Sequence, residues 1–488
     1  YVVLSSEDEH ACLQAARGHE RKRWRWSKRA QQLRELQKFV EWAGEGPVVC
    51  YRARELTDLL SHTQLLSRTR KLLGTLVDLF EGALVAAADA PDFALPALAE
   101  HLDLPPQKTD LDLLPVLHAA LGERFRALPR SLLVLLSALR GDGSNLPWLP
   151  WPELTPIERQ TPLAHLGRLV PEVEKIDRPA QEGGPEPLPQ LMGELFSPGG
   201  AIAQAHPKYE ERRAQIDMAR SVAQTLVDGG VLVVEAGTGV GKSLAYLAPA
   251  VLWAREHGKP VIVSTNTRNL QEQLLSQDLP LLAEALPVSF RAALLKGRGN
   301  YPCLRALSWL FDDATGSLFW SERLAVMHLL AWLAGQTTGD LEGIAPAAYE
   351  EMDALSATVD RMRSQGESCL GRACSFHKVC LVEHARELAR SADVVVVNHA
   401  LVFADAQGPV LPEYSHIIFD EAQNIESVAT DGLASELSGP LLSNFGRLVG
   451  VGRRSGTLEM MQRRLQAADG LPSVDLIRES LVVLGEGV

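Results

Sequence analysis

Val231-Leu-Val-Val-Glu-Ala-Gly-Thr-Gly-Val-Gly-Lys-Ser243 is the stretch that decides how this chain reads. The apolar run at 231–234 is strand-sized, a glycine-rich turn follows, and the apolar pattern over 244–255 predicts a helix. Between strand and helix, Ala236, Gly237, Thr238, Gly239, Val240, Gly241, Lys242 and Ser243 fit a phosphate-binding loop, which requires that context. The glycines let backbone N–H groups face phosphate oxygens, and the helix N-terminus adds the positive end of its dipole. Lys242 is placed to reach the β- and γ-phosphates of ATP, and the Ser243 hydroxyl to hold Mg²⁺. The loop's usual first glycine is Ala236 here, at a position that shapes the turn without touching phosphate. The bland alternative is a glycine-rich turn with no ligand.

Outward from the loop, strand and helix alternate. Buried-type strands are expected at 260–264, 394–397 and 416–419, with a helix from Asn269. Continuous Val/Ile runs alternating with helices mean an α/β fold, with a parallel sheet covered on both faces. Asp420-Glu-Ala-Gln423 follows the last of these strands, where a parallel sheet presents its chemistry. Asp420 suits the Mg²⁺ shell and Glu421 the polarisation of an attacking water. An acidic pair alone is more often a solvated loop, but a phosphate loop in the same chain reverses that balance.

Segment 300–385 breaks the alternation and holds four of the six cysteines, Cys303, Cys369, Cys374 and Cys380. Their spacing is looser than paired zinc-ribbon ligands, and four thiolates also suit an iron–sulfur cluster. Zinc, or four unlinked core thiols, are the alternatives. Cys12 and Cys50 read as ordinary core thiols. Two Pro/Gly-rich stretches, 141–156 and 183–200, mark breaks between an amino-terminal region and the α/β part. Helices are expected at 67–82 and 111–124. The hydrophobic share of 46% allows real cores and rules out large-scale disorder. A net charge of −13 argues against coating nucleic acid by global charge, though not against a local basic channel. No run reaches the ~18 apolar residues of a membrane helix. No signal segment follows Tyr1, so the chain reads as a piece of a soluble cytoplasmic protein.

Taken in order, Glu235–Ser243, Lys296-Gly-Arg-Gly-Asn-Tyr-Pro-Cys303, the triplet 369/374/380, Val396-Val-Asn-His399 and Asp420–Gln423 resemble the iron–sulfur helicases of the XPD/DinG type, bacterial DinG-like proteins most. The resemblance covers roughly 200–430. It implies a RecA-like motor lobe over 201–295 and 385–427, with a [4Fe–4S] cluster on the four cysteines in an insertion over 296–384. It further implies ATP-dependent 5′→3′ movement on single-stranded DNA in repair or replication, with duplex junctions and single-strand-binding or repair proteins as partners, by a nucleoid-associated monomer. Arg212 and Gln215 match the adenine-reading motif. Thr265, Thr267 and Gln271 match the segment that contacts the strand's backbone. Gln423 stands where the family usually has a His that couples nucleotide state to DNA. Residues 428–488 match the start of a helical arch. No segment resembles the arginine motif of a second RecA-like lobe, so the chain reads as the amino-terminal part of a motor, weak in hydrolysis alone. A non-hydrolysing nucleotide- and DNA-binding regulator is the rival reading.

Residues 1–140 echo the DEDD-type 3′–5′ exonuclease domain of some DinG-like proteins. Ser5 stands at the first metal-binding Asp, Glu55 replaces the second, and His118-x-Ala120-x-x-Glu123 resembles the third motif. Two-metal chemistry needs carboxylates at fixed reach, so the expectation is a derelict nuclease fold. The tract 17–34 holds eight Lys/Arg and two Trp, suiting either nucleic-acid contact or a solvated helix face with its Trp residues packed inward.

Overall fold

The computed structural model describes residues 2–7, 10–17, 20–26, 29–43, 48–61, 76–141, 146–176, 187–206, 209–237, 239–317, 319–406 and 408–433. None of its helices is long and apolar enough to cross a membrane. Residues 1–421 form one compact unit and 422–488 another. Of the second unit, the described part is a short turn, Ala422–Asn424, and the helix Ile425–Leu433. The rest of the expected arch lies outside the described residues.

The α/β part is built on four parallel strands, β6 (Val261–Thr265), β7 (Ala292–Leu294), β8 (Val394–Asn398) and β9 (His416–Phe419), in the order β7-β8-β6-β9. The unbroken Val/Ile runs follow from burial on both faces. Val261, Val263, Val394 and Val396 point into one core with the helices Arg213–Asp228 and Lys242–His257. Ile262, Val395 and Val397, one residue out of phase, point into a second core on the opposite face.

The strand expected at 231–234 does not form. Val231 and Val233 are 93% and 90% exposed, and the segment is irregular. Among the described strands β9 pairs with β6 alone, so no ladder reaches this run. An apolar run without a neighbouring strand cannot satisfy its N–H and C=O groups by pairing and leaves them to water.

The second core joins parts distant in sequence. Helices Leu79–Ala86, Asp110–Ala127 and Arg130–Arg140 bury Leu84, Leu114, Phe125 and Leu135 with Leu307, Phe311, Leu330 and Trp332 from the cysteine-bearing segment. The Pro-rich stretch after 145 packs down too. Its Trp148 indole donates to the Asp78 carbonyl at 3.2 Å and meets His118 edge-on at 4.9 Å. Instead of one helix over 67–82, the described part is strand β5 (Leu76–Asp78) and then the helix Leu79–Ala86, capped by the Asp78 carboxylate. The expected helix at 111–124 is present as Asp110–Ala127.

His328 sits fully buried in this shared core. Its Nδ1–H donates to the Leu84 carbonyl at 2.7 Å, and its Nε2 has no hydrogen-bond partner. Burial, opposed by that bond, pushes its pKa down to about 4. The unfolded chain therefore takes up the proton first on acidification. His328's contribution is fully present above pH 6.5 and is lost towards pH 4, by about 3 kcal/mol. Urea unfolding at pH 7 and pH 4.5 is expected to show a smaller acid loss for His328→Phe than for the wild type. Equal losses contradict the assignment.

The amino-terminal sheet has the order β3-β2-β1-β4-β5, with β1 (Val2–Glu7), β2 (His10–Arg17) and β3 (Glu20–Trp26) antiparallel, and β1, β4 (Val48–Cys50) and β5 parallel. The basic tract is thus mostly edge strand rather than helix. Trp24 and Trp26 point inward, where Trp24 meets Phe39 edge-on at 5.3 Å, with Arg23 and Arg25 alternating outward and Arg21 and Lys22 also exposed. Cys50 is a buried core thiol, whereas the side chain of Cys12 lies outside the described residues.

Candidate nucleotide and metal sites

The helix Lys242–His257 opens on Gly241, whose φ of 83° is left-handed. A Cβ there would overlap the Gln215 amide, which donates to the Gly241 carbonyl at 2.8 Å. Gly239 is also left-handed, and its carbonyl accepts from Arg212. Arg212 and Gln215 thus brace the loop's backbone. Ala236, Gly237, Gly239 and Val240 are described as irregular backbone, and Thr238 lies outside the described residues.

Across the sheet edge, the turn after β9 meets the loop. Lys242 Nζ lies 3.3 Å from Glu421 Oε1, joining residues far apart in sequence. The Asp420 N–H donates to the Ser264 carbonyl at 2.8 Å, tying the turn to β6, and Glu421 takes the left-handed φ of 56° that a non-glycine residue rarely adopts. Such strain concentrates at functional sites. Tyr246, one turn into the helix, donates its hydroxyl to Asp420 Oδ2 at 3.1 Å and is raised in pKa mainly by burial. Lys242, Asp420, Glu421 and Tyr246 are therefore brought together, with Ser243 next to Lys242 at the start of the helix. His399 lies beneath the 420–421 turn, with Nδ1 2.6 Å from the Ser264 hydroxyl, and burial lowers its pKa. Gln423 belongs to the other unit.

These residues fit a metal–nucleotide. The loop offers left-handed glycines and the Lys242 cation beside the acidic turn. Of the residues expected at DNA, Thr265 and Gln271 are buried. Thr267 is exposed, and its oxygen caps the helix Arg268–Gln273 by accepting from the Leu270 N–H at 3.3 Å.

The four thiols line one cavity together with Arg298, Arg305, Leu370 and Phe376. Cys303 and Cys380 each occupy the N-cap position of a helix, Leu304–Gly316 and Leu381–Ser391, without a side-chain cap hydrogen bond. Cys369 accepts from the Gly371 N–H at 3.4 Å, and this bond, aided by Arg298 and Arg305, lowers its pKa. Burial raises that of Cys380. Among the described residues no three His, Cys, Asp or Glu side chains converge tightly enough for a single metal ion. What the four thiols share is the lining of this cavity, a donor set of soft sulfur atoms. The nuclease echo gathers less: Glu55 and Glu123 are exposed, His118 packs on Trp148, and the side chain of Ser5 lies outside the described residues.

Residues 217–298 match the DEAD/DEAH box helicase family. The chain is 35% identical over 303 residues to the ATP-dependent DNA helicase YoaA of Haemophilus influenzae, covering 61% of this chain and 45% of that protein. It is 38% identical over 271 residues to the ATP-dependent helicase DinG of Mycobacterium tuberculosis, covering 51% and 40%. With the 3′-5′ exonuclease DinG of Bacillus subtilis the identity is 31% over 268 residues, covering 54% and 28%. The chain thus spans less than half the length of these relatives. Over the matched residues the chain is thus similar to bacterial helicases of the DinG type.

Proposed function

We propose that this chain supplies the nucleotide-binding lobe of an ATP-dependent DNA helicase, carrying a structural [4Fe–4S] cluster on Cys303, Cys369, Cys374 and Cys380. The observation that carries the reading is the meeting of Lys242 with the Asp420–Glu421 turn. Lys242 leaves Glu421 to hold the terminal phosphates, Ser243 and Asp420 hold the cation and its water shell, and Glu421, once released, accepts a proton from the attacking water. The bound cation supplies charge neutralisation at the phosphates. Ser264 ties the acidic turn to β6, whose end leads into the segment 265–271 proposed to face the strand's backbone, and this is a short path from nucleotide to DNA. The cluster rigidifies the insertion and does no catalysis. Movement is 5′→3′ on single strands at duplex junctions, in repair or replication in the cytoplasm, as the family resemblance implies. The amino-terminal sheet, with no Asp at 5, 55 or 123, serves as a spacing or binding module.

The test is titration of the chain with a fluorescent ATP analogue and Mg²⁺, then with a labelled single-stranded oligonucleotide with and without nucleotide. Binding of both, with DNA affinity falling steeply as salt rises and changed by nucleotide, is expected. Failure of the folded chain to bind nucleotide sinks the reading. Nucleotide binding that leaves DNA binding unaltered favours the regulator instead.

A further inference from the structure

The basic tract 17–34 has no part in the nucleotide or thiol sites. It holds eight Lys/Arg against one acidic residue, Glu20, within a chain of net charge −13. The fold lays out its densest part as β3, which ends the amino-terminal sheet and pairs with β2 alone among the described strands. Trp24 and Trp26 hold that strand down, buried with Leu36, Phe39 and Val40 of the helix Arg29–Ala43. Arg23 and Arg25 stand on the opposite face, exposed and two residues apart, about 6.8 Å along the strand. Arg21, also exposed, reaches Asp112. Lys22 lies 3.0 Å from Glu20 and 5.6 Å from the centre of the Trp42 ring.

Charge on an edge strand keeps another strand from pairing with it. A few charges of either sign serve that purpose, and a one-sign row in an otherwise acidic chain exceeds it. A row of like cations on an anchored strand instead complements an extended polyanion, whose phosphates it neutralises with release of counterions. Both indole rings face the core, so bases have no stacking platform here, and the contact is with phosphate whatever the base sequence. An extended edge suits a single strand, which can run along it, better than a duplex, whose backbone winds away. We propose that the outward face of β3 is a second docking strip for single-stranded DNA, holding its phosphates through Arg23 and Arg25. This rests on the DNA-handling reading above and extends it to the amino-terminal module.

The experiment measures affinity of the chain for a labelled single-stranded oligothymidylate, without nucleotide, from ~50 to ~200 mM salt. On logarithmic axes a single strand contributes a slope of about −0.7 for each phosphate neutralised. Arg23→Ala/Arg25→Ala is therefore expected to flatten the slope by about 1.4, shrinking the salt-induced loss of affinity by about 7-fold over that range. Arg23→Gln/Arg25→Gln removes the same charges with less change of bulk, and it carries the test if the alanine pair fails to fold. Affinity for a fluorescent ATP analogue in Mg²⁺ should be unchanged in both. An unchanged slope in both variants overturns the inference and leaves the helicase reading intact, and so does a slope that changes on duplex DNA alone. Self-association of the variants with an unchanged slope assigns the arginines to edge protection and overturns it as well. A wild-type chain that binds nucleotide but no single strand overturns the inference and the DNA reading together.

Discussion

Lys242→Ala is expected to weaken binding of Mg²⁺-ATP by roughly 100- to 1,000-fold, the usual loss when one charged partner of a phosphate or oxyanion is removed. Lys242 lies 3.3 Å from Glu421, with both side chains about one-third exposed at 31% and 33%. Such a half-solvated pair contributes at most about 1 kcal/mol to folding, so Tm should scarcely move while binding collapses. Glu421→Gln separates the two roles. It removes the charge that competes with phosphate for Lys242, so nucleotide binding is retained or tightened, and it removes the base, so turnover falls. Calorimetric titration of both variants, beside their melting curves, checks this. Undiminished binding by Lys242→Ala contradicts the placement of the phosphates.

The second large effect is expected at the cysteines. Cys374→Ser should strip the metal group and destabilise the insertion, because a bound group's free energy is also folding free energy when the apo site is not held by other contacts. The cavity walls show where those contacts are thin. Cys369 is exposed on a short turn, Gly371 nearby has a left-handed φ of 52°, and the 3₁₀ turns Gly371–Ala373 and His377–Val379 bury no residue. Helix Leu304–Gly316, by contrast, is anchored in the large core through Leu307, Leu310 and Phe311. The loss should therefore be local: hydrogen exchange in 366–380 rises sharply and that in 304–316 only slightly. Uniform protection in wild type and variant contradicts a bound group. The same substitution at buried Cys50, in the amino-terminal sheet, should leave bound metal unchanged.

Much of the site was legible in the residues because its chemistry is local. The strands β6, β8 and β9, the helix after the glycine loop and the turn after β9 are each set by a few adjacent positions, and they form where the local pattern puts them. The place of Tyr246 at Asp420 was not legible, since a tyrosine inside an apolar helix reads as core. The run at 231–234 shows the opposite limit, since apolar β-branched residues make a strand only where another strand offers hydrogen bonds. The tract Arg23-Trp-Arg-Trp26 already showed the alternation of a strand, but its charge drew the reading toward a helix face. That the amino-terminal helices share a core with the cysteine segment is tertiary information, carried by contacts such as His328 with Leu84 that no local pattern encodes.

The account rests most heavily on the joint presence of a nucleotide loop and a thiolate-held cluster in one chain. Iron, acid-labile sulfide and zinc per chain, measured on anaerobically purified protein, test it most directly. Iron and sulfide near four each are predicted, both lost together in Cys374→Ser. One zinc with no sulfide contradicts it, and leaves a phosphate-loop ATPase whose insertion is held by a different metal.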